Sequence, residues 1–524
     1  MQLPSRQASL GRLRGLGTVD VLIVGGGING SGLLRELALN GIDALLVDKG
    51  DFASGATSAS SRMIHGGLRY LENGELALVR ESLLERNRLL RNAPHAVKPL
   101  PTTIPIFHRW SGFGNVLGKF FQEKPRPSRR GSVLIRIGLT LYDFFAGRDR
   151  VLPRHYFVSR SKALAGRPGL NPGIICTATY YDAWVALPER LCLELVDDAL
   201  AAHPRSLALN YVALAGVAPS GDVRLRDALT GEEFLVRPRV VVNATGAWID
   251  LANNAVGMTT RLIGGTKGSH LIIDNPELYA ATGEGEVLYE NDEGRICIFF
   301  RLYGKVLVGS TDIRVQNPDD AICDEDEISY MLDSIRAVFP AISISRDNIV
   351  SHFCGVRPLP ASDAGFTGRI SRSHICRSYP PDAAHPWPLH AMIGGKWTTF
   401  RAFAAQVADK VFAELGRPRR ASTEAVPIGR RSPEPNYDSI EDLGLIAATE
   451  AVVHLDDLLL RRTPLALYGG LGSERFDIIA ERIARTLGWD DNRLAEEKRL
   501  ASTLLAKRNG VSIAQKTAHQ PLHP

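Results

Sequence analysis

Three observations predict an α/β fold in which a discontinuous Rossmann-like domain is joined to an antiparallel-sheet domain and a small C-terminal helical region. The first is an apolar run, Val19 to Val24, that enters a glycine cluster. The helical segment Ser31 to Asn40 follows, then a second apolar run, Ala44 to Val47, and together they make a β-turn-α-β unit. The second is a series of short β-rich runs between about residues 205 and 310, VRPRVVVNATG, SHLIIDN, RICIFF and KVLVGSTD, punctuated by turn residues. The third is the recurrence of small residues suited to close backbone approach at Ala244-Thr245-Gly246 and Gly394-Gly395, so that one domain must be assembled from separated segments.

Length and composition set the frame. The chain has 524 residues, 44% hydrophobic and 23% charged, enough for two or three packed cores. The expected nucleotide-binding segments are about 18–100, 160–250 and 350–416, within one region spanning 18–416. A sheet domain that holds the substrate is expected from about 100–160 and 250–350, followed by a linker at 417–436 and a helical domain at 437–524. A net charge of +5 is small for this length and gives no nucleic-acid signal, while an anionic membrane surface stays open as a partner. The six cysteines are scattered without a C-x-x-C pair, so neither a metal site nor a disulfide framework is indicated, and a reducing cytosolic compartment is expected. The N-terminal MQLPSRQASLGRLRGLG lacks an apolar signal region, and no later stretch is apolar for long enough to span a bilayer.

Glu75 to Arg91 carries apolar residues at three- and four-residue spacing, which predicts an amphipathic helix. Lys119 to Gly131 is basic and broken by proline, and therefore reads as an exposed loop. With Phe120, Phe121, Leu134 and Ile135 set among Lys and Arg, the 119–137 region fits either a membrane-interfacial anchor or a solvated loop.

The glycine cluster reads G-x-G-x-x-G at Gly25, Gly27 and Gly30, and Asp48 ends the next strand 18 residues after Gly30. Gly25 permits the tight turn, Gly27 lets the backbone approach a pyrophosphate at the helix N-terminus, Gly30 allows helix and strand to touch, and Asp48 can accept a ribose hydroxyl. This unit alone does not separate FAD from NAD. The choice rests on later segments: the hydroxyl-rich loop with Thr57, Ser58, Ser60 and Ser61, the turn His65-Gly66-Gly67, the strand end Ala244-Thr245-Gly246, and Gly394-Gly395-Lys396 with Thr398 ahead of a helix. Asn29, inside the first turn, completes the cofactor set. A cofactor touched at such distant positions must be extended, which favours FAD in a glutathione reductase-like or p-hydroxybenzoate hydroxylase-like architecture.

The stretches GGGINGSG, ATSASSRMIHGGLRYLE, VNATGAW, KGSH, GSTD, GVRPL and GGKWTT, from about residue 20 to residue 402, resemble the FAD-dependent glycerol-3-phosphate dehydrogenase family of bacteria and mitochondria. The resemblance implies bound FAD, oxidation of sn-glycerol 3-phosphate to dihydroxyacetone phosphate, electron transfer to a membrane quinone, and a peripheral position on the cytoplasmic face of the inner membrane. A homodimer stays open. Matched residue by residue, it makes Arg69, Arg357, Arg372 and Lys396 the substrate-binding set. After YYDAW the family carries an Asp-Asp-Ala-Arg element where this chain reads VALPERL, which leaves a four-carbon polyol phosphate such as erythritol phosphate as an alternative substrate. The C-terminal region also reads as short beside bacterial members.

The chemistry asks for a hydride acceptor, a group that takes the hydroxyl proton, and a clamp for the anionic tail. Guanidinium forks match a phosphate dianion, which suits Arg357 and Arg372. Lys396, beside the glycine pair, can stabilise a reduced flavin or contact the substrate oxygen. His65 and His270 are the candidate proton acceptors, and Arg357 and Lys396 complete the catalytic set. Two readings compete with the dehydrogenase: a flavin-linked oxidase of hydroxy acids or amines on the same fold, and a non-catalytic flavoprotein.

Overall fold

Parallel pairing organises the nucleotide end. The strand Thr18–Val24 pairs parallel with Ala44–Val47 on one side and with Glu233–Asn243 on the other. The computed structural model describes residues 1–72, 74–111, 130–147, 150–291, 295–362, 370–429, 435–469 and 471–513, without the side chains of Arg69 and Glu72. In these residues the first sheet runs in the order Ile375–Tyr379, Leu389–Ile393, Glu233–Asn243, Thr18–Val24, Ala44–Val47, Leu207–Leu209. Its central strand alternates Val21 and Ile23 toward one layer with Leu22 and Val24 toward the other. The first pair packs with Leu33 and Leu37 of the helix Ile28–Leu39 and with Phe403 and Val407 of the helix Phe400–Leu415. The second pair packs with Leu10 and Leu13 of the N-terminal helix Arg6–Arg14 and with Trp387. Burial on both faces explains why Val19–Val24 reads as an unbroken apolar run.

Among the described residues the second sheet has ten strands, eight of them in the order Ile313–Arg314, Thr266–Ile273, Lys305–Gly309, Ile296–Leu302, Glu286–Glu290, Val97–Ile106, Cys176–Val185, Met63–Ile64. Ile349–Arg357 and Tyr156–Ser159 join it off this path, and its pairings are antiparallel apart from Glu286–Glu290 with Val97–Ile106. The helix Glu325–Val338, which begins with an Asp324/Glu327 capping box, covers one face through Ile328, Met331 and Ile335. The chain crosses between the sheets more often than its sequence suggests. The runs at 207–243 belong to the first sheet, because Glu233–Asn243 pairs antiparallel with Val223–Asp227 at its start and parallel with Thr18–Val24 along its length. Cys176–Val185 and Ile349–Arg357, in turn, lie in the second sheet.

The amphipathic segment after Glu75 forms the helix Leu76–Asn92. Of the basic 119–137 region, 119–129 with Phe120 and Phe121 falls outside the described residues, while Leu134 and Ile135 lie on the helix Ser132–Phe145. The C-terminal helices Ile440–Thr449, Ser473–Leu487 and Asp491–Asn509 enclose a core of their own around Leu455, Ile479 and Leu505. The proline- and arginine-rich connection that leads to them is held against the first domain. Asn40 Oδ1 accepts from the Arg420 and Ala421 amides at 2.8 Å each, and the Ile428 amide donates to the Asn92 carbonyl at 2.8 Å. Among the described residues no helix is long and apolar enough to cross a membrane.

Candidate active site

The nucleotide end is built mostly from backbone. Gly25 has φ +110°, and a Cβ there would lie 2.6 Å from the Ala244 carbonyl oxygen; one on Gly30 would lie 1.9 Å from the Gly25 oxygen. Both positions therefore exclude a side chain, since the helix touches the strand end as a dinucleotide turn requires. Gly27 starts the helix Ile28–Leu39 with no side-chain cap. Thr57 Oγ1 accepts from the Ile28 amide at 3.0 Å, and the rest of the helix N-terminus faces the cavity described below, where its dipole favours an anion. Asp48 accepts from the Gly26 and Gly50 amides at 2.7 and 2.9 Å, and loss of hydration pushes its carboxyl up to about 6.

The separated segments meet at this turn. Asn29 Nδ2 donates to the Gly394 carbonyl at 3.3 Å, Trp397 Nε1 donates to the Thr57 carbonyl at 3.1 Å, and Thr398 Oγ1 accepts from the His65 amide at 3.0 Å while donating to its carbonyl at 3.1 Å. Ser58 Oγ donates to the Gly55 carbonyl at 3.1 Å, Ser60 Oγ accepts from the Arg62 amide at 3.2 Å, and Ser61 Oγ bonds His270 Nε2 at 2.8 Å. One cavity of about 1770 Å³ runs from Gly25 and Asp48 past Thr245 and Gly395 to Arg357 and Lys396. Drug-sized ligands fill pockets of roughly 300–1,000 Å³, so this volume accommodates an extended dinucleotide together with a substrate. Gly30, Gly66 and Thr398 do not line it; they hold the wall from behind. The Gly66 amide, for example, donates to Tyr142 Oη at 2.8 Å and to Asp182 Oδ1 at 3.2 Å.

Charged side chains dominate the other end. Arg357 donates to the Lys267 carbonyl at 3.3 Å, to Ser310 Oγ at 2.9 Å, to the Thr311 carbonyl at 3.0 Å and to Asp312 Oδ1 at 3.2 Å. Its guanidinium fits because residue 268 is glycine, where a Cβ would lie 2.2 Å from Nη2. Arg372 Nη2 lies 3.9 Å from the other Asp312 oxygen, so one carboxylate stands between the two guanidinium groups. Lys396 Nζ is buried 4.4 Å from the Tyr70 ring centroid, with no hydrogen-bond partner among the described residues. Burial is the main cause that lowers it to about 7, with Glu81 and Asp182 acting the other way.

The two histidines are held neutral. His65 is lowered to about 3 by loss of hydration and by Lys396, Arg372 and Arg86. His270, stacked on Phe353 at 4.9 Å, is lowered to about 3 by burial, Arg357 and Arg62. The side chain of Arg69, within the helix Leu68–Glu72, lies outside the described residues.

The sequence reading missed Asp312, although it stands in GSTD, and also missed Glu81, His374 and Asp182. Asp312 had a signal, an acid in a motif already singled out. Glu81 had none, being one of several acids on an amphipathic helix. His374 is lowered to about 4 by burial and by Lys396. Within VALPERL, Glu189 lines the cavity and pairs with buried Arg62 at 3.4 Å, and Arg190 forms a two-pronged pair with Glu450 of the C-terminal region at 2.9 Å on each prong.

A family model described as FAD dependent oxidoreductase matches residues 20–399. A glycerol-3-phosphate dehydrogenase of Synechocystis sp. is 35% identical over 461 residues, covering 83% of this chain and 78% of the relative. A D-erythritol 1-phosphate dehydrogenase of Brucella abortus is 32% identical over 407 residues, covering 76% and 75%. Among solved structures, the glycerol-3-phosphate dehydrogenase from Bacillus halodurans complexed with FAD has the same fold, with a TM-score of 0.73 at 20% identity, covering 98% of this chain and 99% of that one. The shared fold therefore extends through the C-terminal helical region.

Proposed function

The chain belongs to the FAD dependent oxidoreductase family, and from that premise we propose that it oxidises sn-glycerol 3-phosphate to dihydroxyacetone phosphate with FAD as its cofactor. The observation that carries this reading is the Arg357–Asp312–Arg372 group set beside Lys396 in the same cavity as the dinucleotide turn. FAD, when bound, supplies the hydride acceptor. Its pyrophosphate would lie on the helix start at Gly27, its ribose near Asp48, and its ring against Gly394-Gly395, where Asn29 Oδ1 is a buried acceptor without a hydrogen-bond partner among the described residues.

Arg357 and Arg372 hold the phosphate through guanidinium forks whose paired N–H donors match its oxygens. Asp312 keeps the two forks at a fixed separation. Lys396 takes the hydroxyl proton. Its amine is half neutral near pH 7, whereas histidines lowered to about 3 are poor proton acceptors there. His65 and His270 instead remain neutral hydrogen-bonding walls.

Transfer of electrons to a membrane quinone is the second part of the proposal. The helix Ser132–Phe145 buries Ile135, Leu139 and Tyr142 but leaves Ile137, Leu141 and Phe144 48%, 43% and 75% exposed. Ile137 and Leu141 also line the cavity, so an apolar lobe connects the site to a surface suited to the lipid interface of the cytoplasmic leaflet. The experiment is anaerobic: purified protein is mixed with glycerol 3-phosphate, erythritol phosphate or glycerol, and flavin absorbance is followed. Rapid bleaching by glycerol 3-phosphate, with slower bleaching by erythritol phosphate and none by glycerol, is expected. Equal bleaching by glycerol would overturn the phosphate clamp, and faster bleaching by erythritol phosphate would reassign the substrate.

A further inference from the structure

The nucleotide end of the cavity is walled in part by the C-terminal helical unit. Leu460 and Arg461, then Leu504, Arg508 and Asn509 near the end of the last helix, line the same cavity as Asp48. The unit is held there by a buried charge cluster centred on Asp51, three residues after Asp48. Arg462 donates to both Asp51 oxygens at 2.6 and 2.8 Å, Arg461 Nε donates to Oδ2 at 2.5 Å, and Asn210 Nδ2 donates to Oδ1 at 3.0 Å. Arg461 continues to Asp457 and Asp456 at 2.5 and 2.8 Å, and Tyr211 Oη donates to Asp457 at 2.5 Å. The same loop is fastened to the first sheet, where the Tyr211 amide bonds the Gly50 carbonyl and the Val212 amide bonds the Asp48 carbonyl.

Asp51 and Arg462 have fully buried side chains. Charges removed from water in this way are stable only while their partners stay in place, so undocking the C-terminal unit would strand Asp51 beside the ribose-side acid. That juxtaposition is costly in the direction that matters for the ligand: a carboxylate released from its arginines would add negative charge next to the site of an anionic dinucleotide.

We propose that the C-terminal helical unit is a cofactor-retention element, and that the Asp51–Arg461–Arg462 cluster couples its docking to binding of the dinucleotide. The residues are positioning residues, acting through the loop 48–51 rather than on the reacting atoms. The inference rests on the reading of this cavity as an FAD site. Coupling is reciprocal, so bound FAD must also hold the last helix in place.

The test uses the full chain. FAD dissociation constants are measured by flavin fluorescence for the wild type, Asp51→Asn, Arg462→Gln and Arg475→Gln, the last breaking a pair with Asp438 inside the C-terminal unit and away from the cluster. Hydrogen exchange of the helix Asp491–Asn509 is followed with and without FAD. Expected is FAD binding weakened by on the order of tenfold or more in Arg462→Gln, which leaves the Asp51 carboxylate without one of its arginines, and by a smaller factor in Asp51→Asn, which loosens the docking without stranding a charge, both within the roughly 5–150-fold span of couplings between sites. Arg475→Gln is expected to bind as the wild type does. FAD is expected to slow exchange in the last helix of the wild type and to lose that effect in the two cluster variants.

Wild-type FAD affinity in both cluster variants, or exchange in the last helix that does not respond to FAD, overturns the proposal. Exchange in the unmutated chain gives this answer even if a cluster variant fails to fold. A wild-type chain that binds no FAD would instead overturn the functional reading.

Discussion

The two ends of the cavity solve opposite problems. At the dinucleotide turn, glycine and backbone amides make room for a ligand and point donors at it, so the site is defined by what is missing. At the charged end, Arg357, Arg372 and Lys396 come from three segments of the chain, and Asp312 and Gly268 decide where the charges stand. A steric site fails completely when an atom is added, whereas an electrostatic site weakens by degrees. The difference orders the expected effects of substitution.

The largest effect is expected at the turn. Gly30→Val places carbon where a Cβ already meets the Gly25 oxygen at 1.9 Å, backbone against backbone, so the helix must leave the strand. The purified variant should be colourless or insoluble, read from flavin absorbance per chain. A yellow, stable Gly30→Val protein would break the steric account of this end.

Next comes Arg357→Ala. Removing one guanidinium from a desolvated phosphate pair should cost about 2 to 5 kcal/mol of substrate binding, raising KM well over tenfold while FAD content stays at wild type. Arg372→Ala should show the same pattern at smaller size, since its guanidinium stands 3.9 Å from Asp312 where that of Arg357 stands at 3.2 Å. Loss of flavin in either variant would mean that the two ends are not separable.

Asp312→Asn is expected to be milder and to split the parameters differently. The amide keeps a hydrogen bond to Arg357 but loses the charge that balances both arginines, so the positions of the forks relax. A several-fold fall in kcat with little change in phosphate affinity is the expected outcome. A purely attractive role for the arginines predicts tighter binding and unchanged kcat instead.

The smallest effect is one of pH on the wild type. Lys396 accepts a proton only as the neutral amine, and its value lies near 7, so kcat/KM should rise with pH through about 7. Histidines held near 3 would place the limb far lower. The sign for stability is the same. A lysine lowered from its usual value of about 10.4 leaves the unfolded chain with more bound protons between those two values, so its contribution to stability grows as pH rises through that window. A flat profile between pH 6 and 8 would remove Lys396 as the proton acceptor.

How much of this was legible follows from range. The β-turn-α-β unit, its glycines and the helix after Glu75 are local patterns, and the structure places them within a few residues of where the periodicity did. The later cofactor segments were legible as motifs, yet nothing in their spacing said that Asn29 would meet Gly394 or Thr57 meet Trp397. Glu81 and Asp182 set the charge balance at Lys396 across the fold, and no linear pattern announces a partner that distant.

By itself, then, the order of residues determined a dinucleotide turn, the apolar faces of two sheets and a supply of basic side chains, because turn geometry and burial depend on neighbours in sequence. Tertiary structure alone decided which strand joins which sheet, which basic groups lose their water, and which acid stands between Arg357 and Arg372. It also decided that VALPERL and the C-terminal RRT would meet, where Arg190 donates to the Arg462 carbonyl at 3.0 Å. Ionisation and affinity depend on what lies within a few ångströms, and that distance is set by packing between segments hundreds of positions apart.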